Sequence, residues 1–147
     1  MDKETSLIKK IFIGMIALIA ILSLGYIYFV YLATPKDAVQ NVLNGAKDGD
    51  LGKISRNASE EAVKFFSLDA LKSCTADKEA YDANHQLELV NVCLLEKYQN
   101  MNIKKIDMKQ LSENRATANV IIENKQQEYT IDFQVGIMDG RWTVHIK

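Results

Sequence analysis

Between Ile11 and Ala33 the chain carries no charged residue. As a helix rising about 1.5 Å per residue, those 23 positions reach about 35 Å, enough to cross a hydrocarbon core of roughly 30 Å with some tilt. No second run resembles it. The expected organisation is therefore a tail over 1–10, a transmembrane helix over 11–33 with the lipid bilayer as its partner, and one domain over 34–147. Lys3, Lys9 and Lys10 precede the run against Asp2 and Glu4, while Lys36 and Asp37 cancel after it. This bias predicts a single-pass protein of the cytoplasmic (inner) membrane, amino terminus inside, with a periplasmic or extracellular domain.

A cleaved secretion signal would have a shorter apolar core, about 7 to 15 residues, and a small-x-small cleavage site. Here the nearest candidate reads Tyr31-Leu32-Ala33, and no cysteine follows to accept a lipid. Tyr26, Tyr28 and Tyr31 suit the headgroup level, where a ring buries its body and wets its hydroxyl. Gly14, Ala17, Ala20 and Ser23 recur every third position, a spacing that drifts around a helix and makes no close-packing stripe. With the run ending at Ala33 and a helix cap at Thr34, almost no linker remains, and the domain is expected to ride close to the membrane.

Thr34-Pro35-Lys36-Asp37 reads as a helix start, and Ala38, Val39, Val42, Leu43 and Ala46 mark one face until a stop near Gly49. A short turn carrying Leu51 and Ile54 follows. Ser59 with Glu60 and Glu61 opens a further helix burying Ala62, Val63 and Phe66, and Ser67 is expected to cap another piece over 68–74. From Lys78 to Asn100 there is no Gly or Pro, and Leu87, Val90, Leu94, Tyr98 and Met101 recur at three and four, predicting one long helix.

After Asn102 the period drops to two. Ala116, Ala118, Val120 and Ile122 form one apolar stripe, Tyr129, Ile131, Phe133, Val135 and Ile137 a second, and Trp142, Val144 and Ile146 a third. Asp139-Gly140 suits a two-residue turn with positive φ at both centres, pairing Ile137 with Trp142, Val135 with Val144 and Phe133 with Ile146. A turn at Asn124-Lys125 would set Val120 against Tyr129. A loop Ser112-Glu113-Asn114, with Asn114 left-handed, would set Met108 against Ala118 and Ile106 against Val120.

Helices followed by a four-stranded antiparallel meander make an α+β fold. That order, the "KDGDL" step and the terminal "DGRWTVHIK" resemble the nuclear transport factor two-like, or cystatin-like, fold, in its small membrane-anchored bacterial envelope form. The anchored layout is similar to the inner-membrane assembly component of type IV secretion systems. The resemblance implies a cone of helices on a curved sheet, and in the fold's enzymes a carboxylate or histidine inside that cone. The inward stripes here supply none.

Asp132 and His145 fall on the opposite face, in different cross-strand pairs, with Asp132 expected to meet Lys147 as a surface ion pair. His85 has no second ligand one turn on, and the two histidines and two cysteines lack metal-site spacing. No nucleotide-binding, hydrolase or metalloprotease motif occurs, and no enzyme activity, cofactor or metal is expected. Cys74 and Cys93, outside the cytoplasm, are read as a disulfide in preference to two buried thiols. Asn57-Ala58-Ser59 matches a glycosylation sequon and is assigned no role.

Of the 18 Lys plus Arg and 19 Asp plus Glu, three and two precede the run, leaving 15 against 17 in the outer segment without a block of either sign. Nucleic acid is thereby an unfavoured partner. The expected function is a membrane-anchored interaction module for membrane or periplasmic proteins, an assembly or accessory part of an envelope secretion or transport complex. Its docking face would be Thr117, Asn119, Thr130, Asp132, Gln134, Thr143 and His145. One alternative is a small apolar ligand or lipid binder with Tyr81, Tyr98, Tyr129, Phe133 and Trp142 lining a pocket; another is an immunity protein against a toxin acting outside the membrane. The intact mass of the mature chain should retain residues 1–33, and a chain beginning at Thr34 would contradict the anchor.

Overall fold

The computed structural model describes the backbone of residues 2–31 and 33–146 and the side chains of 12–26 and 33–146. The chain divides at Ala33 into two units. In the first, helix α1 runs Asp2–Tyr31, with the apolar side chains Phe12, Ile16, Ile19 and Leu22 exposed. The described side chains of the apolar run cover about 22 Å of helix, less than a hydrocarbon core of about 30 Å. Among the described residues, no helix is long and apolar enough to cross a membrane. The expected span over 11–33 takes in positions beyond that stretch, and the side chains of Tyr28 and Tyr31 lie outside the described residues.

The second unit opens with α2, Pro35–Asp48. Thr34 Oγ1 accepts from the Asp37 amide at 3.2 Å while Asp37 Oδ2 accepts from the Thr34 amide at 2.8 Å. Two amides without helical partners are thus satisfied reciprocally, with Pro35 adding a preset φ. The helix ends on Gly49 at φ 67, its amide and that of Asp50 donating back to Ala46 and Gly45 carbonyls. Asp50 then caps α3, Leu51–Ser55, which carries buried Ile54. Ser59 caps α4, Glu60–Ser73.

Two expectations about the helices fail. Ser67 starts no new piece; its hydroxyl donates to the Val63 carbonyl at 2.8 Å, so α4 runs on through it. The long helix over 78–100 is a single 3₁₀ turn, Lys78–Ala80, followed by α5, Gln86–Tyr98. Asp77 and Asp82 accept amides two residues on, from Glu79 and Asn84, and these side-chain turns outcompete helix over 77–85. Leu87 consequently stands exposed in the first turn of α5, and the buried face is Leu89, Val90, Cys93, Leu94 and Tyr98.

The strands β1 (Asn102–Ser112), β2 (Arg115–Asn124), β3 (Gln127–Met138) and β4 (Arg141–Ile146) form one antiparallel sheet in sequence order. The Asp139-Gly140 hairpin has the expected register, both residues at positive φ. Met108 faces Ala118 and Ile106 faces Val120 as expected. Asn114, however, is absent from the positive-φ residues of the described chain, and the turn length is absorbed by a bulge between Gln110 and Ser112.

The β2–β3 turn sits one position later than expected, on Lys125-Gln126 at φ 49 and 65, so Val120 faces Ile131 and Ile122 faces Tyr129. The slip moves each pairing by two and leaves every side chain on its expected face, so alternation alone cannot choose between the registers. Asn124 stays in the strand and donates to the Lys97 carbonyl at 3.3 Å, tying the turn to the end of α5.

The core lies between the helices and one face of the sheet. Ala38, Val39, Val42, Leu43 and Ala46 of α2 bury against Ala118, Val120, Phe133, Val135 and Val144. Beyond β4, Ser59 donates its amide to the Val144 carbonyl and Val144 donates to the Asn57 carbonyl, both at 2.8 Å, a parallel bridge that closes this edge. Asn57 also donates its side-chain amide to the Lys53 carbonyl at 2.9 Å, and Ser59 is buried.

A Cβ on Gly49 would meet the Asn91 carbonyl oxygen at 2.7 Å and Leu95 Cβ at 2.8 Å, while one on Gly140 meets nothing within 4 Å. Both have positive φ, which alone costs roughly 1 kcal/mol for an L side chain. Gly140→Ala should lose about that much in urea unfolding and Gly49→Ala about 1 to 3 kcal/mol more, from the added overpacking. Equal losses would show that α5 does not press on Gly49.

Candidate binding face

The face of the sheet turned from the helices carries two polar rows. In the first, Lys109 of β1 faces Thr117 of β2, Thr117 faces Gln134 of β3, and Gln134 faces His145 of β4. In the second, Asp107 faces Asn119 and Asn119 faces Asp132, with Asn119 Nδ2 donating to Asp132 Oδ1 at 2.8 Å. Thr130 faces Ile121, and Thr143 faces Gly136. All seven expected docking residues thus share one surface. Thr130, Asp132 and Gln134 are exposed, and Thr117, Asn119, Thr143 and His145 are half-buried.

The position expected to pair with Asp132, Lys147, lies outside the described residues. The revised β2–β3 register gives Asp132 an amide partner in Asn119. An Asn–Asp pair supplies one hydrogen bond and leaves carboxylate acceptor capacity free, as a recognition surface requires. His145 sits at the β4 border, near enough to Glu61 to add a small electrostatic pull. Glu61 is held below the usual carboxylate range chiefly by its own backbone amide and by the Ser59 hydroxyl.

Buried residues behind the sheet are hydrophobic apart from Ser59, whose oxygen caps α4. Phe133 is in the core, and Tyr98 is buried against Phe66 with ring centroids 6.0 Å apart. Tyr81 and Trp142 are half-buried at the edge of the core. Tyr129 is 47% exposed, its hydroxyl donating to Gln127. Trp142 pairs with Ile137, eight positions along β3 from Tyr129. At about 3.4 Å per residue that is roughly 27 Å, so the five aromatic side chains share no wall. The expected pocket lining does not assemble.

His85 is not on a helix face. It precedes α5, with ring Nδ1 2.6 Å from Asp82 Oδ1, and this contact, ahead of the Asn84 amide, holds the Asp82 carboxyl low. Among the described residues no group of three or more His, Cys, Asp and Glu gathers as metal ligands.

A cluster that the linear sequence did not disclose joins α4 to α5. Asp69 Oδ2 lies 2.6 Å from Lys97 Nζ and accepts from the Tyr98 hydroxyl. Burial pushes the Asp69 carboxyl up, but Lys97 and Tyr98 outweigh it and hold it below its ordinary value; burial, then Asp69, pushes the Tyr98 phenol well above its own. Just beyond, Cys74 is bonded to Cys93 with Cα atoms 5.1 Å apart, and Glu96 accepts from the Thr75 amide and hydroxyl. The cluster is structural: it fixes the α4–α5 pair, and closing 18 intervening residues adds roughly 3 kcal/mol in the chain-entropy account.

No family model matches the chain, and no curated protein matches it. Among solved structures the chain is similar to one of a Campylobacter jejuni protein bearing the provisional name NTF2-like transpeptidase. The two share 14% identity over 78% of this chain and 100% of that one, with a TM-score of 0.41. A likeness of that depth carries no argument. The α+β layout stands on the strands and helices themselves.

The lowered Asp69 carboxyl contributes stability that is present above its ordinary value of 3.8 and lost as pH falls through its folded value. Between about pH 5 and about pH 2, wild type should therefore lose stability more steeply than Asp69→Asn in urea titrations. Parallel curves would contradict the assignment. Unreduced protein should also weigh two hydrogens less than reduced protein, and an equal mass would exclude the Cys74–Cys93 bond.

Proposed function

We propose that the chain is a single-pass, membrane-anchored member of the cystatin-like fold that works by binding proteins of the envelope. Its outer sheet face is the docking surface. The observation that carries this reading is the pair of polar rows, Lys109-Thr117-Gln134-His145 and Asp107-Asn119-Asp132, on the sheet face turned from the core, where Asp107, Lys109, Asp132 and Gln134 are exposed. The opposite face is committed to the core through Ala118, Val120, Phe133 and Val144. A sheet face with spare donors and acceptors in fixed register offers specificity at little cost of ordering, since its backbone is held from behind.

The anchor rests on the 23-residue uncharged run and on the Lys excess before it. Tethering to the bilayer would raise the effective concentration of the domain for other membrane components, so modest affinity suffices for assembly. An accessory or assembly role in a secretion or transport machine is the class that combines a tether with a non-catalytic surface of this kind.

A photocrosslinking residue placed at Thr130 or Gln134 of the full chain in intact membranes should yield discrete protein adducts. The same residue at Lys72, on α4, should not. Adducts with lipid alone at the sheet positions would overturn the docking reading. Release of the whole chain by alkaline carbonate would overturn the anchor.

A further inference from the structure

The sheet's two edges differ. That of β4 is bridged by Asn57–Ser59, whereas β1, on the other side, bonds β2 and, among the described residues, no other backbone. An open edge is a template for strand addition, and proteins normally blunt it with bulges and lysines. Here the bulges lie at the ends, between Ile103 and Lys105 and between Gln110 and Ser112, leaving Lys105–Gln110 in regular register. The open part is a defined stretch of six residues.

That stretch reads Lys105-Ile106-Asp107-Met108-Lys109-Gln110. Its outer-face residues alternate in sign, and Lys105 Nζ lies 2.8 Å from Asp107 Oδ2. Its inner-face residues Ile106 and Met108 are half-buried, packed on the core with one side open. We propose that this edge pairs antiparallel with β1 of a second copy, making a continuous eight-stranded sheet.

The register follows from symmetry. A two-fold axis perpendicular to the sheet keeps both sets of helices on one side, so opposite residues must share a face and the axis must pass midway between one residue and its own equivalent. Centred on Asp107, it sets the carboxylate against itself. Centred on Ile106, it runs the bulge at Lys104 into Met108 of the other copy and leaves three regular pairs. Centred on Met108, it keeps Ile106–Gln110 inside the regular stretch and sets Asp107 of each copy opposite Lys109 of the other, twice. Only this last centre satisfies charge and regularity together. Met108 then meets its own equivalent, extending the apolar inner face across the seam.

Five residues a side make a small interface, below the roughly 1,200 Å² of stable complexes, so the dimer is weak in dilute solution and populated where copies are concentrated. An extended peptide from another protein could use the same backbone groups, but it has no reason to carry the alternation that the second copy supplies. The inference does not depend on what the outer face binds.

The test uses full-length chains. Equal amounts of ¹⁴N and ¹⁵N protein are mixed at high concentration in detergent and treated with a zero-length carbodiimide, which joins a carboxylate only to an amine it touches. Isotopically mixed links between position 107 of one copy and position 109 of the other are expected. Asp107→Lys alone and Lys109→Asp alone each make both symmetric pairs repulsive and leave no carboxylate–amine couple between 107 and 109, so each should give no 107–109 link and, read separately by sedimentation, a dimer fraction about ten-fold below wild type. Mixing the two variants makes both pairs attractive again and should restore both, a rescue that a merely unfolded variant cannot give. Absence of the mixed 107–109 link in wild type, failure of the mixture to recover, or links through a different surface or to a different protein would overturn the proposal.

Discussion

The seat of α2 on the inner face of the sheet is the contact on which the rest of the unit depends. Val39, Val42, Leu43 and Ala46 are almost wholly removed from water, and the helix reaches all four strands as well as α3 and α5. Three features place it there. The Thr34–Asp37 box starts it, five small or branched apolar residues at helical spacing give it a narrow stripe, and Gly49 ends it where α5 passes. The alanines at 38 and 46 matter as much as the larger residues, because they let the helix lie low on strands that are themselves lined with Ala116 and Ala118. Burial of Val39, Val42 and Leu43 at roughly 1.5 to 3 kcal/mol each then makes this seam a large stabilising contribution.

With one face of the sheet spent in this way, the other is left to polar side chains and the edges become consequential. The β4 edge is covered by the chain's own Asn57–Ser59, and the Asn57 side chain is engaged with the Lys53 carbonyl. The β1 edge stays open over a short charged stretch. The α4–α5 pair, held by the Cys74–Cys93 bond and by Asp69 with Lys97 and Tyr98, covers the remaining side of the core. The polar groups drawn inside hold the fold together, since Ser59 caps a helix and Tyr98 is bonded to Asp69.

Much of this was legible in the residues because local rules and the global arrangement agree. Period-two stripes named the faces of β2, β3 and β4, and Asp139-Gly140 fixed the last hairpin, since few other pairs accept positive φ twice. The β2–β3 register escaped because a slip of two preserves the faces; the deciding contact, Asn124 to the Lys97 carbonyl, spans 27 residues. The 78–100 segment looked helical by the spacing of its apolar residues, yet Asp77 and Asp82 formed local turns whose stability the spacing does not register. Asp69 and Tyr98 meet across 29 residues and carry no motif. The residues of the outer sheet face were readable as a set, while the pairing of Asn119 with Asp132 required the true register.

The division of labour between the two sheet faces is tested most directly by neighbours on one strand. Phe133 points inward at 2% exposure, and Gln134, next to it, points out. In urea unfolding of the full chain, Phe133→Ala should cost about 3 to 5 kcal/mol through the cavity it leaves. Gln134→Ala should stay within about 0.5 kcal/mol of wild type. Comparable losses at the two positions would mean that the outer face is itself packed, and would contradict its assignment as an open binding surface.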